Sequence, residues 1–210
     1  MNENDSVSLT RFNEKNRTIY IFNNIDDTVA LDIQRQANRI ITEDKTIIAE
    51  NKKALRGIFD EKDIEKIDFK KYIPEVNIFI NTFGGSVYDG LSIYDTILNL
   101  NKHCTVNIIV TGKCMSVGIP ILLSVPYKQR FCTETSTFMI HQASSINVGT
   151  SADLEDQSSE VKRLTEVSYK IIVENTDITQ EDVVKNYNMK KDWILTPEEA
   201  KKLKLVYKIK

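Results

Sequence analysis

Apolar residues recur along this chain in two alternating rhythms. Short runs at residues 18–22 (TIYIF), 76–80 and 106–110 are dense in β-branched and aromatic residues and predict buried strands. Between them the spacing lengthens to three and four. Val29, Ile33, Ala37, Ile40 and Ile41 line one face of a helix that Asp26 or Asp27 can cap and that runs to about Thr42. Val87, Leu91, Ile93, Tyr94, Ile97 and Leu98 line a second helix, entered through the pair Gly84–Gly85. A third is expected from about Met115 to Leu123, after Gly112. Residues 130–132 and 137–140 predict short strands, and a long amphipathic helix follows from about Ala152 to Glu174. A short helix over 180–187, another starting at Pro197 and a strand over 205–209 close the chain. Strands alternating with helices predict an α/β fold of βαβ units with right-handed crossovers. Sites in such folds lie past the carboxyl ends of strands, where both glycine turns fall.

Two stretches break the rhythm. Residues 1–17 are polar and are expected to be flexible. Residues 43–71 are highly charged, punctuated by Ile47, Ile48, Leu55, Ile58, Phe59, Ile64 and Ile67, and predict one or two amphipathic helices lying on the surface. The remainder, 18–210, reads as a single domain carrying that insertion.

Composition narrows the function classes. Of 210 residues, 41% are apolar and 28% charged, with a net charge of −2, an ordinary globular balance. No basic patch interleaved with aromatics points to nucleic acid. The longest apolar stretch, 117–126, is too short to span a bilayer. The polar start does not resemble a secretory signal. Three cysteines, Cys104, Cys114 and Cys132, make no CxxC pair and leave an odd thiol, which points to the reducing cytoplasm. With two histidines they give no metal-ligand spacing, so no metal and no cofactor are expected.

The candidate chemistry sits at the strand ends. Ser116, in TGKCMSVG, is either a helix N-cap or a hydroxyl exposed by the turn, beside free N–H groups that could hold an oxyanion. His141, leaving the strand TFMI, is either a satisfied core-edge residue or an acid–base group. His103, in NKHC, reads as a helix-end residue bonding terminal carbonyls. Cys114 is a rival nucleophile, read chiefly as a packing residue in the turn. The pair Gly84–Gly85 can be a simple turn or can present backbone N–H groups to substrate.

Together these segments resemble the proteolytic subunit of the Clp proteases, from about Asn16 to Val206. INTFGGSVYDGLSIYDTI is similar to that family's glycine-pair segment, TGKCMSVG to its nucleophile turn, FMIHQ to its histidine segment, and the interval between Ser116 and His141 is the family's as well. The resemblance implies a crotonase-like spiral of ββα units with a protruding handle, formed by the long helix and a strand over 144–151 before it. It implies a serine endopeptidase with Ser116 as nucleophile and His141 as base. KKDWILTPEEA is similar to the family's aspartate segment and assigns Asp192 as the group orienting His141. The backbone N–H groups of Gly85 and Val117 would hold the oxyanion. The implied assembly is a homo-oligomer, one or two heptameric rings enclosing a chamber. An AAA+ unfoldase would feed it unfolded polypeptides, with ATP used only on that partner.

The sequence also departs from the family. Lys190 and Lys191 stand where an acidic–arginine pair couples two rings. Asn77 and Asn99 stand among docking-pocket positions that Phe79 keeps aromatic. Phe83 and Ala143 replace prolines, and SSINVG lacks the handle's glycine pair. A catalytically silent ring subunit acting through assembly is therefore the competing expectation. Acyl-CoA chemistry of the crotonase kind is a remote third, since it typically relies on carboxylates.

Overall fold

The computed structural model of the chain describes residues 17–144, 148–189 and 192–210. Among these, seven strands form one sheet. β1 (Thr18–Ile21), β2 (Val76–Thr82), β3 (Val106–Met115), β4 (Arg130–Cys132) and β7 (Lys208–Ile209) lie side by side in that order, all parallel. β5 (Thr137–Ile140) pairs with the last residues of β3, and β6 (Trp193–Leu195) closes antiparallel on β5. The helices are α1 (Asp27–Leu55), α2 (Glu61–Glu65), α3 (Val87–His103), α4 (Gly118–Leu122), α5 (Ser151–Asn175), α6 (Gln180–Met189) and α7 (Pro197–Lys202). The expected α/β class holds.

The core lies between the sheet and the helices α1 and α3. Strict alternation in β2 sends Val76, Ile78, Ile80 and Thr82 inward, beside Ile19 and Ile21 of β1 and Val106, Ile108 and Val110 of β3. Ile33, Ala37 and Ile40 of α1 and Ile93, Ile97 and Leu100 of α3 cover them. Each such isoleucine, fully buried, contributes about 1.5–3 kcal/mol of transfer free energy. The other face keeps Tyr20 stacked on Phe79, ring centroids 5.6 Å apart, with Tyr20 well exposed.

The third strand is twice the length that its apolar run predicts. Gly112 sits at φ 84°, a left-handed conformation that L side chains rarely adopt, and the register with β2 slips between Ile80 and Thr82. The strand bends there and continues. Residues 108–110 pair with β4, while 113–115 pair with β5. The helix expected from Met115 therefore starts only at Gly118.

The first helix also overruns its expected end at Thr42 and extends unbroken to Leu55. No glycine or proline lies between Asp27 and Arg56, and Asp26 caps the start by accepting the Val29 N–H at 2.9 Å. The first part of the charged insertion is thus not a separate surface helix. It is a continuation of α1 that turns Asp44 and Asn51 inward. Arg17, which the sequence groups with the flexible N-terminal segment, is buried and donates both terminal nitrogens to Asp44, at 2.9 and 3.0 Å. His103 Nε2 lies 3.3 Å from the second Asp44 oxygen, so it faces this carboxylate instead of capping helix carbonyls. Burial keeps the His103 imidazole below its ordinary pKa, and Asp44 opposes that effect only in part.

The long helix and the helix at Pro197 fall where expected. Both start in a capping box, Thr150 with Asp153 and Thr196 with Glu199. The strand expected before α5 is not formed by Ser144 or by residues 148–150. Residues 145–147, like Lys190, Lys191 and residues 1–16, lie outside the described residues.

Candidate active site

Ser116 follows the last residue of β3 and precedes α4. Its backbone is left-handed at φ 56°, uncommon for a residue with a side chain and costing about 1–3 kcal/mol. Two contacts hold it there. Its N–H donates to the Met139 carbonyl at 2.9 Å, and its own carbonyl accepts from Ile119 at 3.0 Å. Met139 stands two residues before His141, so the serine turn and the histidine strand are laced together. Both side chains line one cavity of about 20 Å³. It is lined also by Val87, Val117, Pro120, Ile140 and Ala143, and by Tyr169 and Ile172 of α5.

The glycine pair abuts the same serine. A Cβ added to Gly84 would lie 2.6 Å from Ser116 Cβ, and Gly84 has φ 100°. A Cβ on Gly85 would meet the Ile25 backbone oxygen at 2.2 Å, with φ 149°. The segment is pinned by Ile25, which donates to the Gly84 carbonyl and accepts from Ser86, both at 2.8 Å. Thr82 Oγ1 accepts the Gly84 N–H at 3.1 Å. Among the described residues no acceptor takes the N–H of Gly85 or of Val117. Gly85 is exposed, so solvent or a ligand can take its N–H, whereas Val117 is buried, where an unpaired donor is costly unless a ligand supplies the acceptor. Gly90 of α3 lets Val117 seat itself, since a Cβ there would stand 2.1 Å from Val117 Cγ2.

The sequence-predicted residues thus converge unequally. Ser116, His141 and Val117 share one cavity, and Gly84 brings Gly85 alongside. Asp192 faces His141, with Oδ1 3.9 Å from Nδ1, beyond hydrogen-bond range, and its side chain is 60% exposed. Cys114 is excluded as a nucleophile. It lies within β3, fully buried, and burial drives its thiol far above the usual range. Cys104 and Cys132 are also buried, and burial pushes both thiols up to about 11. Phe83, well exposed, lies under Lys113, whose Nζ stands 3.8 Å from the ring centroid. No group of His, Cys, Asp and Glu among the described residues could hold a metal ion. No described helix is long and apolar enough to cross a membrane.

Several residues that shape this site escape a reading of the sequence. Gly84 reads as half of a turn, though it is what lets the turn touch Ser116. Thr165 of α5 accepts the Ala143 N–H at 3.2 Å and so fixes the chain leaving His141. Tyr169 lines the cavity. Neither α5 residue carries a signal in a helix read only for its apolar face. One consequence is directly testable. Gly84→Ala both strains the backbone and pushes on Ser116, so we expect any reaction at Ser116 to slow by about 10²-fold or more, the scale of a misplacement of about 1 Å. Single-turnover acylation by an activated ester measures it.

The family model described as Clp protease matches residues 62–210. The chain is 36% identical over 140 residues to the ATP-dependent Clp protease proteolytic subunit of Deinococcus radiodurans, covering 67% of each. It is 34% identical over 135 residues to ATP-dependent Clp protease proteolytic subunit 2 of Chlamydia trachomatis serovar D, covering 64% of each, slightly less than two thirds of that relative's length. Among solved structures it is similar to a point mutant of ClpP1 from Listeria monocytogenes, with a TM-score of 0.70 and 26% identity, covering 93% of this chain and 91% of that one.

Proposed function

Since the chain belongs to the Clp protease family, we propose that it is a serine endopeptidase working through Ser116, His141 and Asp192. The observation that carries this reading is the strained Ser116 turn, which shares a cavity with His141 beside two N–H groups that no protein acceptor takes among the described residues. Ser116 Oγ attacks the peptide carbonyl while His141 takes its proton. The N–H groups of Gly85 and Val117 stabilise the oxyanion of the tetrahedral intermediate. His141 then protonates the leaving amine, the C–N bond breaks, and water hydrolyses the acyl-enzyme by the same route in reverse. Asp192 holds the imidazole in the tautomer that accepts at Nε2, closing the 3.9 Å gap when substrate binds. No cofactor enters these steps.

The substrates are unfolded polypeptides, admitted to a chamber enclosed by rings of identical subunits. An AAA+ unfoldase supplies them and spends ATP on its own subunits. The cytoplasm is the expected compartment. The names of the relatives, ATP-dependent proteolytic subunits, support this assignment. A silent ring subunit is the competing reading, favoured by the same 3.9 Å separation between His141 and Asp192. A fluorophosphonate separates the two. Labelling of the purified protein that disappears in Ser116→Ala supports the peptidase. A protein that stays unlabelled in every assembled state overturns it.

A further inference from the structure

The helix α5 touches both arms of the site. Through Thr165 it holds Ala143, two residues after His141. Through Glu160 it accepts from the Tyr88 hydroxyl at 2.5 Å, and Tyr88 stands three residues after Gly85. Arg163, one turn on, donates Nε and Nη2 to the same carboxylate at 2.7 and 2.6 Å. The Arg163 hydrogen bond, then that of Tyr88, holds the Glu160 carboxyl down to about 2, so it stays an acceptor across ordinary pH.

The position of this tie matters because of what flanks it. Val87, next to Tyr88, lines the Ser116 cavity, and so do Tyr169 and Ile172 of α5. Glu160 lies eight residues, about 12 Å of helix, before Ser168, which also lines the cavity. The bond between Tyr88 and Glu160, made on the exposed surface, therefore ties together two helices that both line the cavity. The cavity they enclose, about 20 Å³, has room for little more than one water or a methyl group.

Resting on the peptidase reading, we propose that Tyr88 is a positioning residue: clamped by Glu160 and Arg163, it sets the width of the cavity beside Ser116 and restricts it to small aliphatic side chains at the residue before the scissile bond. Opening the clamp lets α3 and α5 part and admits larger apolar side chains. Removing the Tyr88 hydroxyl does this without touching the cavity lining, and removing the Glu160 charge does it from the other side.

The test uses two peptides that differ only in having alanine or phenylalanine before the cleaved bond. For the full-length protein, kcat/KM favours the alanine peptide. In Tyr88→Phe and in Glu160→Gln the ratio moves toward phenylalanine by about tenfold, the scale on which apolar pockets discriminate size. Arg163→Lys moves it less, since lysine keeps the charge and loses the fork. General destabilisation lowers both rates together and leaves the ratio fixed, so an unchanged ratio in both variants overturns the clamp. A wild-type preference for phenylalanine overturns it as well. Fluorophosphonate labelling of Ser116 is read in every sample. If the wild type neither labels nor cleaves either peptide, the peptidase reading has failed and the clamp falls with it; if it labels and the ratio stays fixed, the clamp alone is wrong.

Discussion

Ser116→Ala and His141→Ala should each lower peptide hydrolysis by about 10⁴–10⁶-fold, and the double variant should be no slower than either single one. The reason is that nucleophile and base act as one unit. Without Ser116 there is no oxygen for His141 to deprotonate, and without His141 the hydroxyl is a poor nucleophile, so the second loss removes nothing more. A residual rate above water should survive in all three variants, because the N–H groups of Gly85 and Val117 still polarise a bound carbonyl. Initial rates with a fluorogenic peptide at saturating concentration measure both points. Additive losses in the double variant would show that the two residues do not share a step. Full activity in Ser116→Ala would remove the nucleophile from the mechanism.

The second large effect is on stability, away from the site. Asp44→Ala should destabilise the fold by about 3–5 kcal/mol. Asp44 is fully buried and takes two hydrogen bonds from Arg17, itself 5% exposed. Taking away the carboxylate strands a guanidinium in the core with nothing to pair it, and His103 loses the carboxylate it faces. The double variant Arg17→Met with Asp44→Leu should recover most of the loss, since an apolar pair of similar volume avoids both desolvation costs. Urea unfolding at a fixed protein concentration reads both, because assembly adds to apparent stability. If Asp44→Ala unfolds within about 1 kcal/mol of wild type, well short of that range, the buried pair is not what seats the extension of α1.

Much of the framework is legible because strand ends and caps write themselves locally. The runs at 76–80, 106–110 and 137–140, the glycine pair, and the box Thr196–Glu199 each announce an element by side-chain chemistry alone. The end of α1 is not legible. Asp44 and Asn51 occupy inward positions that an apolar periodicity expects to be greasy, and Arg17 lies 27 residues away from Asp44. The second half of β3 is hidden for a related reason. Gly112 and Lys113 interrupt the apolar run, and residues 113–115 are kept extended by β5, more than 20 residues downstream, and by Thr82 of β2 beside Cys114. At the site, the spacing of Ser116 and His141 identifies them only through resemblance to a family. Read singly, a serine before a helix and a histidine after a strand have ordinary explanations. The motif assigns Asp192, and its carboxylate does face His141, yet at 3.9 Å. The clamp of Tyr88, Glu160 and Arg163 has no sequence signal, because its members are polar residues on two helices, 72 positions apart at the bond between Tyr88 and Glu160.

The three cysteines offer a practical handle. All are sealed in the core, and burial leaves each thiol protonated at neutral pH. Alkylating reagents attack the thiolate, so the native chain should be nearly silent toward maleimides while folded. A single cysteine placed on the solvent face of α5 or of the α1 extension would then take a fluorophore or spin label selectively, with no native thiol to be mutated first. Distances between such labels would report on how α5 moves against its surroundings during turnover, in a protein otherwise untouched.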